Sequence, residues 1–379
     1  MLHRMLSPIL WRSLNAANHT VRKNACIVLG ETFPLHNPLC GNNNAQQEEA
    51  QSVIDKSTEA LGKLLKDEHP SVRIAALQSS AIVLGRYWDA IPSEQIRLLL
   101  QIILQKCAYD KSSIAVRSHA ITAAAAILES APHSHAVLRQ MLPKFLGKKI
   151  IHDRSETVRL SMCRMLHKVK KVRGIKYFHV VPVQDLLYRL QYETYPHGSV
   201  AVSLTELICN SYFPQGETIT GSEQVRRTLQ FLVNNPGAAA VFYGNLIKCV
   251  SVRCVAKLAV LLLKCLSCSV IEATKQEEEE GPEKGGKKRR ISSKFEEQGN
   301  DRESSNDTSN GNNSSSFDLV ASNTSLMASI AETIGNLWQS VRLSTTILNK
   351  KCLISYFYYR TDLVRIQRRT TRTNPHIFM

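Results

Sequence analysis

Two cysteines are the residues whose spacing most resembles a chemical site. Cys265 and Cys268 form a C-x-x-C pair, a spacing found in dithiol redox sites and in halves of zinc sites. The pair closes a Leu-rich stretch with helical periodicity, and no second C-x-x-C or histidine pair lies at ligand spacing. Free cysteine packs as a small hydrophobic residue. The sequence therefore favours structural thiols, with no metal and no cofactor.

The motifs of common enzyme classes are missing from the sequence. It contains no G-x-x-x-x-G-K-[ST] phosphate loop, no H-E-x-x-H zinc helix and no G-x-S-x-G nucleophile turn. Histidines and carboxylates are scattered without the paired spacing that acid–base catalysis needs. The sequence predicts a protein that is not an enzyme.

Positive charge is concentrated in two segments of the chain. The formal net charge is +16, from 48 Lys and Arg residues against 32 Asp and Glu. Residues 139–176 hold twelve basic residues against Asp153 and Glu156, and residues 342–372 hold eight against Asp362. The rest of the chain is close to neutral, so the positive charge is confined to two local patches.

Six cations at the end of the first segment are the candidate phosphate-binding residues. In R-M-L-H-K-V-K-K-V-R-G-I-K, residues 164–176, the apolar side chains recur at helical steps, which places the basic side chains on the opposite face. Contact with a phosphate backbone would be independent of base sequence and weakened by salt. A solvated helix face is the alternative. The candidates are Arg164, Lys168, Lys170, Lys171, Arg173 and Lys176.

Residues 271–325 differ in composition from the rest of the chain. They are rich in Ser, Asn and charged residues and poor in apolar ones, which predicts a disordered linker. Ser292 follows two arginines at the spacing of a basophilic kinase site, so its phosphorylation should oppose the adjacent positive charge and tune import or DNA contact. The residues that match a short nuclear-import cluster are Lys287, Lys288, Arg289 and Arg290.

A repeated sequence unit must position these residues. The words N-H-T-V-R-K-N-A, H-P-S-V-R-I-A-A, S-I-A-V-R-S-H-A, S-E-T-V-R-L-S-M and H-G-S-V-A-V-S-L place valines at 21, 72, 116, 158 and 200. The later spacings fall within the range of about 40–47 residues typical of HEAT or armadillo units, which are pairs or trios of helices. Each unit buries its apolar face by stacking on its neighbours. We therefore predict an all-α solenoid of helical hairpins, with about five to six repeats over residues 1–270.

The remaining segments complete the predicted organisation. Residues 326–341 should form a short helix that resumes the array, and residues 342–379 are a basic tail of doubtful origin. No uninterrupted apolar run reaches the ~18 residues of a membrane span. The best candidate, Cys254–Leu263, is interrupted by Lys257. The sequence thus predicts no contact with a membrane.

An aspartate precedes the repeated arginine in three of the units. Placed in the turn before the helix, it can form charge-assisted hydrogen bonds with an arginine of its own unit or of a neighbour. We expect a structural ladder here and not a ligand site. The residues of this ladder are Asp67, Arg73, Asp110, Arg117, Asp153 and Arg159.

Particular sequence words resemble a known family. They are P-I-L-W-R-S-L-N-A-A-N-H-T-V-R-K-N-A at 8–25, F-P-L-H-N-P at 33–38, D-E-H-P-S-V-R at 67–73 and V-A-K-L-A-V-L-L-L-K-C-L at 255–266. These words resemble the HEAT-repeat subunits of condensin II that are not structural-maintenance-of-chromosomes (SMC) proteins. The similarity covers about residues 5–270, and again 328–341. Because those subunits are far longer, the chain would be a partial one.

The resemblance implies a non-catalytic scaffold in the nucleus and on chromosomes. Its implied partners are a kleisin subunit, the SMC ATPases that the kleisin bridges to, and double-stranded DNA during mitotic chromosome condensation. The residues alone leave two other scaffold classes open, an importin-like adaptor and a phosphatase scaffold, both of which bind protein partners. Importin-like arrays usually carry acidic inner surfaces, and the basic segment at 139–176 argues against that class.

Overall fold

The computed structural model describes residues 2–34, 44–216, 219–279 and 324–344. Every regular element within these ranges is helical, which confirms the all-α prediction. In chain order the α-helices are α1 (Leu2–Leu14), α2 (His19–Thr32), α3 (Asn44–Leu64), α4 (Pro70–Arg86), α5 (Ser93–Gln101), α6 (Ile114–Ser130), α7 (His135–Phe145), α8 (Gly147–Ile151), α9 (Glu156–Lys171), α10 (Tyr177–Val180), α11 (Val183–Gln191), α12 (Ser199–Tyr212), α13 (Gly221–Asn234), α14 (Pro236–Asn245), α15 (Val252–Glu279) and α16 (Thr324–Ser344).

The chain divides into two compact units, Met1–Ile208 and Cys209–Met379. The sequence predicted a single array over residues 1–270, whereas the first unit ends at Ile208. The predicted linker at 271–325 overlaps regular structure at both ends, because α15 continues to Glu279 and α16 begins at Thr324. The rest of that linker, and the tail from residue 345 onward, lie outside the described residues.

In the first unit the repeated valines mark equivalent helices. They lie at the second or third residue of α2, α4, α6, α9 and α12. Helix α2 packs on α4, α4 on α6, and α6 on α9, so these four helices form a row. The four later valines are 0–1% exposed, and Val21 in the first helix of the row is 40% exposed. The stacked helices of the sequence prediction are therefore present, and the repeated valines after the first are buried.

The residues at the N-termini of α4 and α9 explain how the repeated words begin these helices. Pro70 is the first residue of α4, where the missing N–H is not needed, and the ring of His69 accepts a hydrogen bond from the Ser71 N–H at 3.3 Å. Ser155 immediately precedes α9, but its side chain makes no capping bond. Instead Asp153 Oδ1 accepts from the Ser155 N–H at 2.8 Å. The aspartate of the turn therefore orders the turn and is also available to a neighbouring unit.

Small residues set the distance between neighbouring helices of the row. A Cβ atom added to Gly30 in α2 would lie 2.6 Å from Ser79 Oγ in α4, so only glycine fits there. Ser79 Oγ also donates to the main-chain oxygen of Cys26 at 2.9 Å. At the α6–α9 joint, the hydroxyls of Ser118 and Ser161 lie 2.8 Å apart. Such close packing holds the turns of successive units near one another.

The second unit has an aromatic core and one long apolar helix. Phe231, Phe242 and Tyr243 are 0–1% exposed and pack edge to face or tilted against one another. Within the described residues, Val252–Ile271 of α15 is long and apolar enough to span a membrane by length and composition alone. Core helices meet the same criterion, and α15 packs against α13 and α16. We therefore interpret α15 as a core helix of this unit.

Candidate nucleic-acid interface

The arginine of each of the first four repeat words pairs with a carboxylate of the following repeat. Arg22 donates from Nε and Nη2 to the two oxygens of Asp67, at 2.7 and 2.9 Å. Arg117 donates in the same way to Asp153, at 2.9 and 3.0 Å. Each guanidinium also donates to main-chain oxygens of the turn before its own helix, at 2.7–3.0 Å. Each arginine thus joins its own turn to the next one.

Arg73 makes the same connection with a different donor geometry. Its Nε lies 2.9 Å from Asp110 Oδ2 as an ion pair, and its Nη2 donates to Ser112 Oγ at 2.6 Å. Its Nη1 donates to the main-chain oxygens of Asp67 and Glu68 at 2.7 and 2.8 Å. The sequence left two partners open, an aspartate of the same unit or of a neighbour. In the structure the Arg73 guanidinium pairs with the aspartate of the neighbouring repeat, and it also donates to main-chain oxygens of its own turn.

The last connection of the ladder uses a glutamate and a second arginine. Arg159 donates to both oxygens of Glu193, at 3.1 and 2.5 Å, and Arg189 Nε donates to Glu193 Oε2 at 3.0 Å. The Glu193 side chain is 1% exposed and the Arg159 side chain 4%. Sequence reasoning missed Glu193 because the fifth word, H-G-S-V-A-V-S-L, lacks the arginine, and a glutamate stands where an aspartate was expected.

The electrostatics of the ladder aspartates follow from these bonds. Burial raises the pKa of Asp67, but hydrogen bonds from Arg22 and from the His69 N–H, with the positive charge of Arg22, outweigh it and lower the pKa overall. Burial likewise raises the pKa of Asp110, and bonds from Ser112 and Ser113 together with the charge of Arg73 lower it overall. Both carboxylates are therefore ionised at neutral pH and compensate their arginines.

The six candidate cations lie at the end of α9 and in the turn that follows it. We call Arg164, Lys168, Lys170, Lys171, Arg173 and Lys176 the α9 basic patch. Met165, Leu166 and Val169 are 0% exposed and fill the opposite face of the helix. Every residue of the patch except Lys168 is exposed, and the Lys168 side chain is 34% exposed. The helical periodicity of the sequence thus predicted the exposed side correctly.

Two lysines of the patch are bound within the array. Lys168 Nζ lies 2.7 Å from Glu129 Oε2 at the end of α6. Lys170 Nζ donates to the main-chain oxygen of Leu207 in α12 at 2.8 Å. An ammonium group carries three donors, so each lysine keeps donors for another acceptor. These two are nevertheless held in position by the fold.

The other four cations of the patch have no such partner. Among the described residues, none of them makes an ion pair or a side-chain hydrogen bond. Lysines in the last turn of a helix interact favourably with the helix dipole, which offers a structural reason for Lys171. Arg173 and Lys176 lie beyond the end of α9, where that reason does not hold. Within the described part of the chain, the cations that make no ion pair or side-chain hydrogen bond are Arg164, Lys171, Arg173 and Lys176.

Known proteins are similar in sequence to this chain. The chain is 34% identical over 279 residues to condensin-2 complex subunit G2 of Danio rerio, an alignment that covers 73% of this chain and 23% of that protein. The corresponding Homo sapiens protein is 32% identical over 278 residues, with the same coverage. This chain is related to condensin-2 complex subunit G2. The resemblance inferred from the sequence words is therefore confirmed.

A family model and a solved structure also match part of this chain. The family described as "Condensin II non structural maintenance of chromosomes subunit" matches residues 1–37. A crystal structure of an engineered protein aligns with 63% of this chain and 95% of its own, at 15% identity and a TM-score of 0.35, too low to support an argument. The chain spans less than a quarter of the length of its G2 relatives.

The other candidate sites of this G2-related chain are the two cysteines, the nuclear-import cluster and Ser292. Cys265 is buried and Cys268 exposed, both as free thiols. Within the described residues, no three His, Cys, Asp or Glu side chains are grouped as metal ligands. The nuclear-import cluster and Ser292 lie outside the described residues. The structure therefore provides geometry for the ladder and for the α9 basic patch.

Proposed function

We propose that this chain is a non-catalytic scaffold segment of a condensin II subunit that acts in chromosome condensation. The sequence similarity to subunit G2 over 73% of the chain supports this assignment. The ladder supports it further, because a row of helices joined by buried ion pairs gives a continuous surface along which larger molecules bind.

The proposed macromolecular ligand of the α9 basic patch is double-stranded DNA. The observation that carries this proposal is the exposed set of Arg164, Lys171, Arg173 and Lys176, which lack carboxylate partners among the described residues. Side chains of this kind bind phosphate oxygens, and such contacts position a protein on a duplex without reading its bases. Binding should therefore depend strongly on salt and weakly on base sequence.

Charge reversal of the patch tests the DNA proposal directly. The variant Lys171→Glu, Arg173→Glu, Lys176→Glu should weaken binding of a 30-base-pair duplex by roughly tenfold or more, and should flatten the salt slope by about 0.9 for each lost contact. The measurement is fluorescence anisotropy of the labelled duplex across a salt series.

A matched control separates a specific patch from general charge. Lys66, Lys106 and Lys111 are also exposed, lie outside the patch, and give the same change in net charge when all three become Glu. We expect this control to retain most of the affinity. Equal loss in both variants would contradict the assignment of DNA contact to α9.

The proposed protein partner is the kleisin subunit of condensin II, and through it the SMC ATPases. The support is the relationship to a condensin-2 subunit and the extended helical surface of the array. Co-expression with the kleisin should give a complex that survives size-exclusion chromatography. Elution of the two chains at their separate positions would contradict this partner.

The proposed location is the nucleus and the chromosomes. Its sequence support is the cluster at Lys287, Lys288, Arg289 and Arg290, with Ser292 as the proposed regulatory phosphorylation site. Replacing the four basic residues with alanine should reduce nuclear accumulation of a fluorescent fusion. Replacing Ser292 with glutamate should reduce import or DNA contact, and unchanged values of both would remove Ser292 from the proposal.

A further inference from the structure

One carboxylate lies directly against the α9 basic patch. Glu129 is the penultimate residue of α6, and its Oε2 is 2.7 Å from Lys168 Nζ. Its side chain is 60% exposed, so it meets both the patch and the solvent. The hydrogen bond from Lys168, the charge of Lys168 and then the charge of Lys171 lower the pKa of Glu129. At neutral pH Glu129 therefore places a negative charge beside the patch.

A contribution to the stability of the fold does not account for the ion pair between Glu129 and Lys168. A carboxylate in the last turn of a helix faces the negative end of the helix dipole, which disfavours it. Exposed lysine–carboxylate pairs also contribute little to the free energy of unfolding. A carboxylate and a phosphate accept the same short charge-assisted hydrogen bond from a lysine. The carboxylate of this pair therefore lies where a phosphate oxygen bound to the lysine would lie.

We propose that Glu129 is a positioning residue that occupies the phosphate-binding place of Lys168 and is displaced when a duplex binds. This inference rests on the proposed DNA contact of the α9 basic patch. In the free chain the Glu129 carboxylate binds the ammonium group of Lys168. In the complex, a backbone phosphate replaces the carboxylate as the acceptor. Glu129 thereby lowers the affinity of the patch and sets how many phosphates it can bind at a given salt concentration.

The substitution Glu129→Gln should strengthen binding. It removes the competing charge and leaves Lys168 available for one additional phosphate contact. One contact adds about 0.9 to the salt slope, so the ratio of variant to wild-type affinity should rise about 3.5-fold as the salt falls from 200 to 50 mM. A merely structural role of Glu129 would change the melting temperature and would leave this slope unchanged.

Glu31 provides a matched control for this change. It is the penultimate residue of α2, its side chain is 56% exposed, and it lies 4.0 Å from Arg86. Helix α2 is separated from α9 by three steps along the row, roughly 25–30 Å at ordinary helix spacing. That distance exceeds the Debye length of about 8 Å at physiological salt. The variant Glu31→Gln makes the same charge change and should leave the affinity and the slope at their wild-type values.

The experiment uses the full chain, the labelled 30-base-pair duplex and four salt concentrations. The inference is supported if Glu129→Gln steepens the slope and the gain disappears in the Lys168→Gln background. It is overturned if Glu129→Gln matches Glu31→Gln, or if the gain persists without Lys168. Failure of the underlying DNA proposal looks different, because reversal of Lys171, Arg173 and Lys176 would then also leave duplex binding unchanged.

Discussion

The arginines of the ladder and the cations of the α9 basic patch are similar side chains in opposite electrostatic surroundings. Each ladder arginine contacts a carboxylate of the next unit and main-chain oxygens of its own turn. Four cations of the patch make no such bond among the described residues. The difference lies in the number of acceptors that the fold supplies to each side chain. A saturated cation joins two units, and an unsaturated one is available to an external anion.

Burial strengthens the same distinction. The side chains of the ladder pairs are largely removed from water. An unpaired charge is costly in such a buried site, so loss of one partner should affect folding. The patch cations are solvated, so their substitution should affect binding and leave folding nearly unchanged. Stability should therefore depend on the ladder, and duplex binding on the patch.

The largest expected effect on stability is at the buried end of the ladder. Replacing Glu193 with glutamine leaves the charges of Arg159 and Arg189 without a carboxylate, and should lower the free energy of unfolding by about 3 kcal/mol. Urea denaturation followed by circular dichroism measures this loss. The control is Glu49 in α3, which is exposed, and its change to glutamine should cost less than about 0.5 kcal/mol. Equal costs at the two positions would show that the buried network contributes nothing.

Added salt should have different effects on the two regions, lowering duplex affinity at the patch much more than the stability that the ladder provides. Four to six phosphate contacts predict a loss of duplex affinity of roughly 10²–10³-fold between 50 and 200 mM salt. Buried ion pairs are screened much less, so the free energy of unfolding should change little over the same range. Anisotropy titrations and urea denaturation at matched salt concentrations measure both quantities. A log–log slope shallower than about −2 would contradict phosphate contact by the patch.

Exchanging arginine and lysine should lower stability in the ladder and should leave duplex binding by the patch nearly unchanged. Arg117 uses a planar fork to bond both oxygens of Asp153, and lysine cannot reproduce that geometry. Arg117→Lys should therefore lower the free energy of unfolding by about 1.5 kcal/mol. Lys171→Arg keeps the charge of a solvated side chain and should leave duplex affinity within about twofold. If both substitutions were tolerated equally, Arg117 would not depend on its geometry any more than Lys171 does.

The sequence predicted more of the ladder than of the patch, for a physical reason. The Val-Arg word repeats with the unit, so the stacked helices and six ladder residues could be recognised from spacing. The carboxylate partner of Arg73 could not, because it depends on how closely the units pack. The partners of Lys168 and Lys170 lie on α6 and α12, distant in sequence, and local periodicity carries no information about them. The boundary at Ile208 also follows from tertiary packing, since the apolar pattern continues beyond it.

Acid should weaken the ladder and is expected to have the smallest effect, because Asp67 and Asp110 are only partly buried. Burial raises the pKa of Asp67, and its bonds with Arg22 and the His69 N–H lower it overall; Asp110 has the same balance. A carboxyl group with a lowered pKa in the folded state contributes its full stability above the unfolded pKa of about 3.9 and loses it as the pH falls through the folded value. Urea denaturation between pH 6 and pH 3 should show the free energy of unfolding falling below about pH 4. The variant Asp110→Asn removes one titrating group and should give a shallower fall, whereas a slope identical to that of the wild type would show that this carboxylate does not link acid to unfolding.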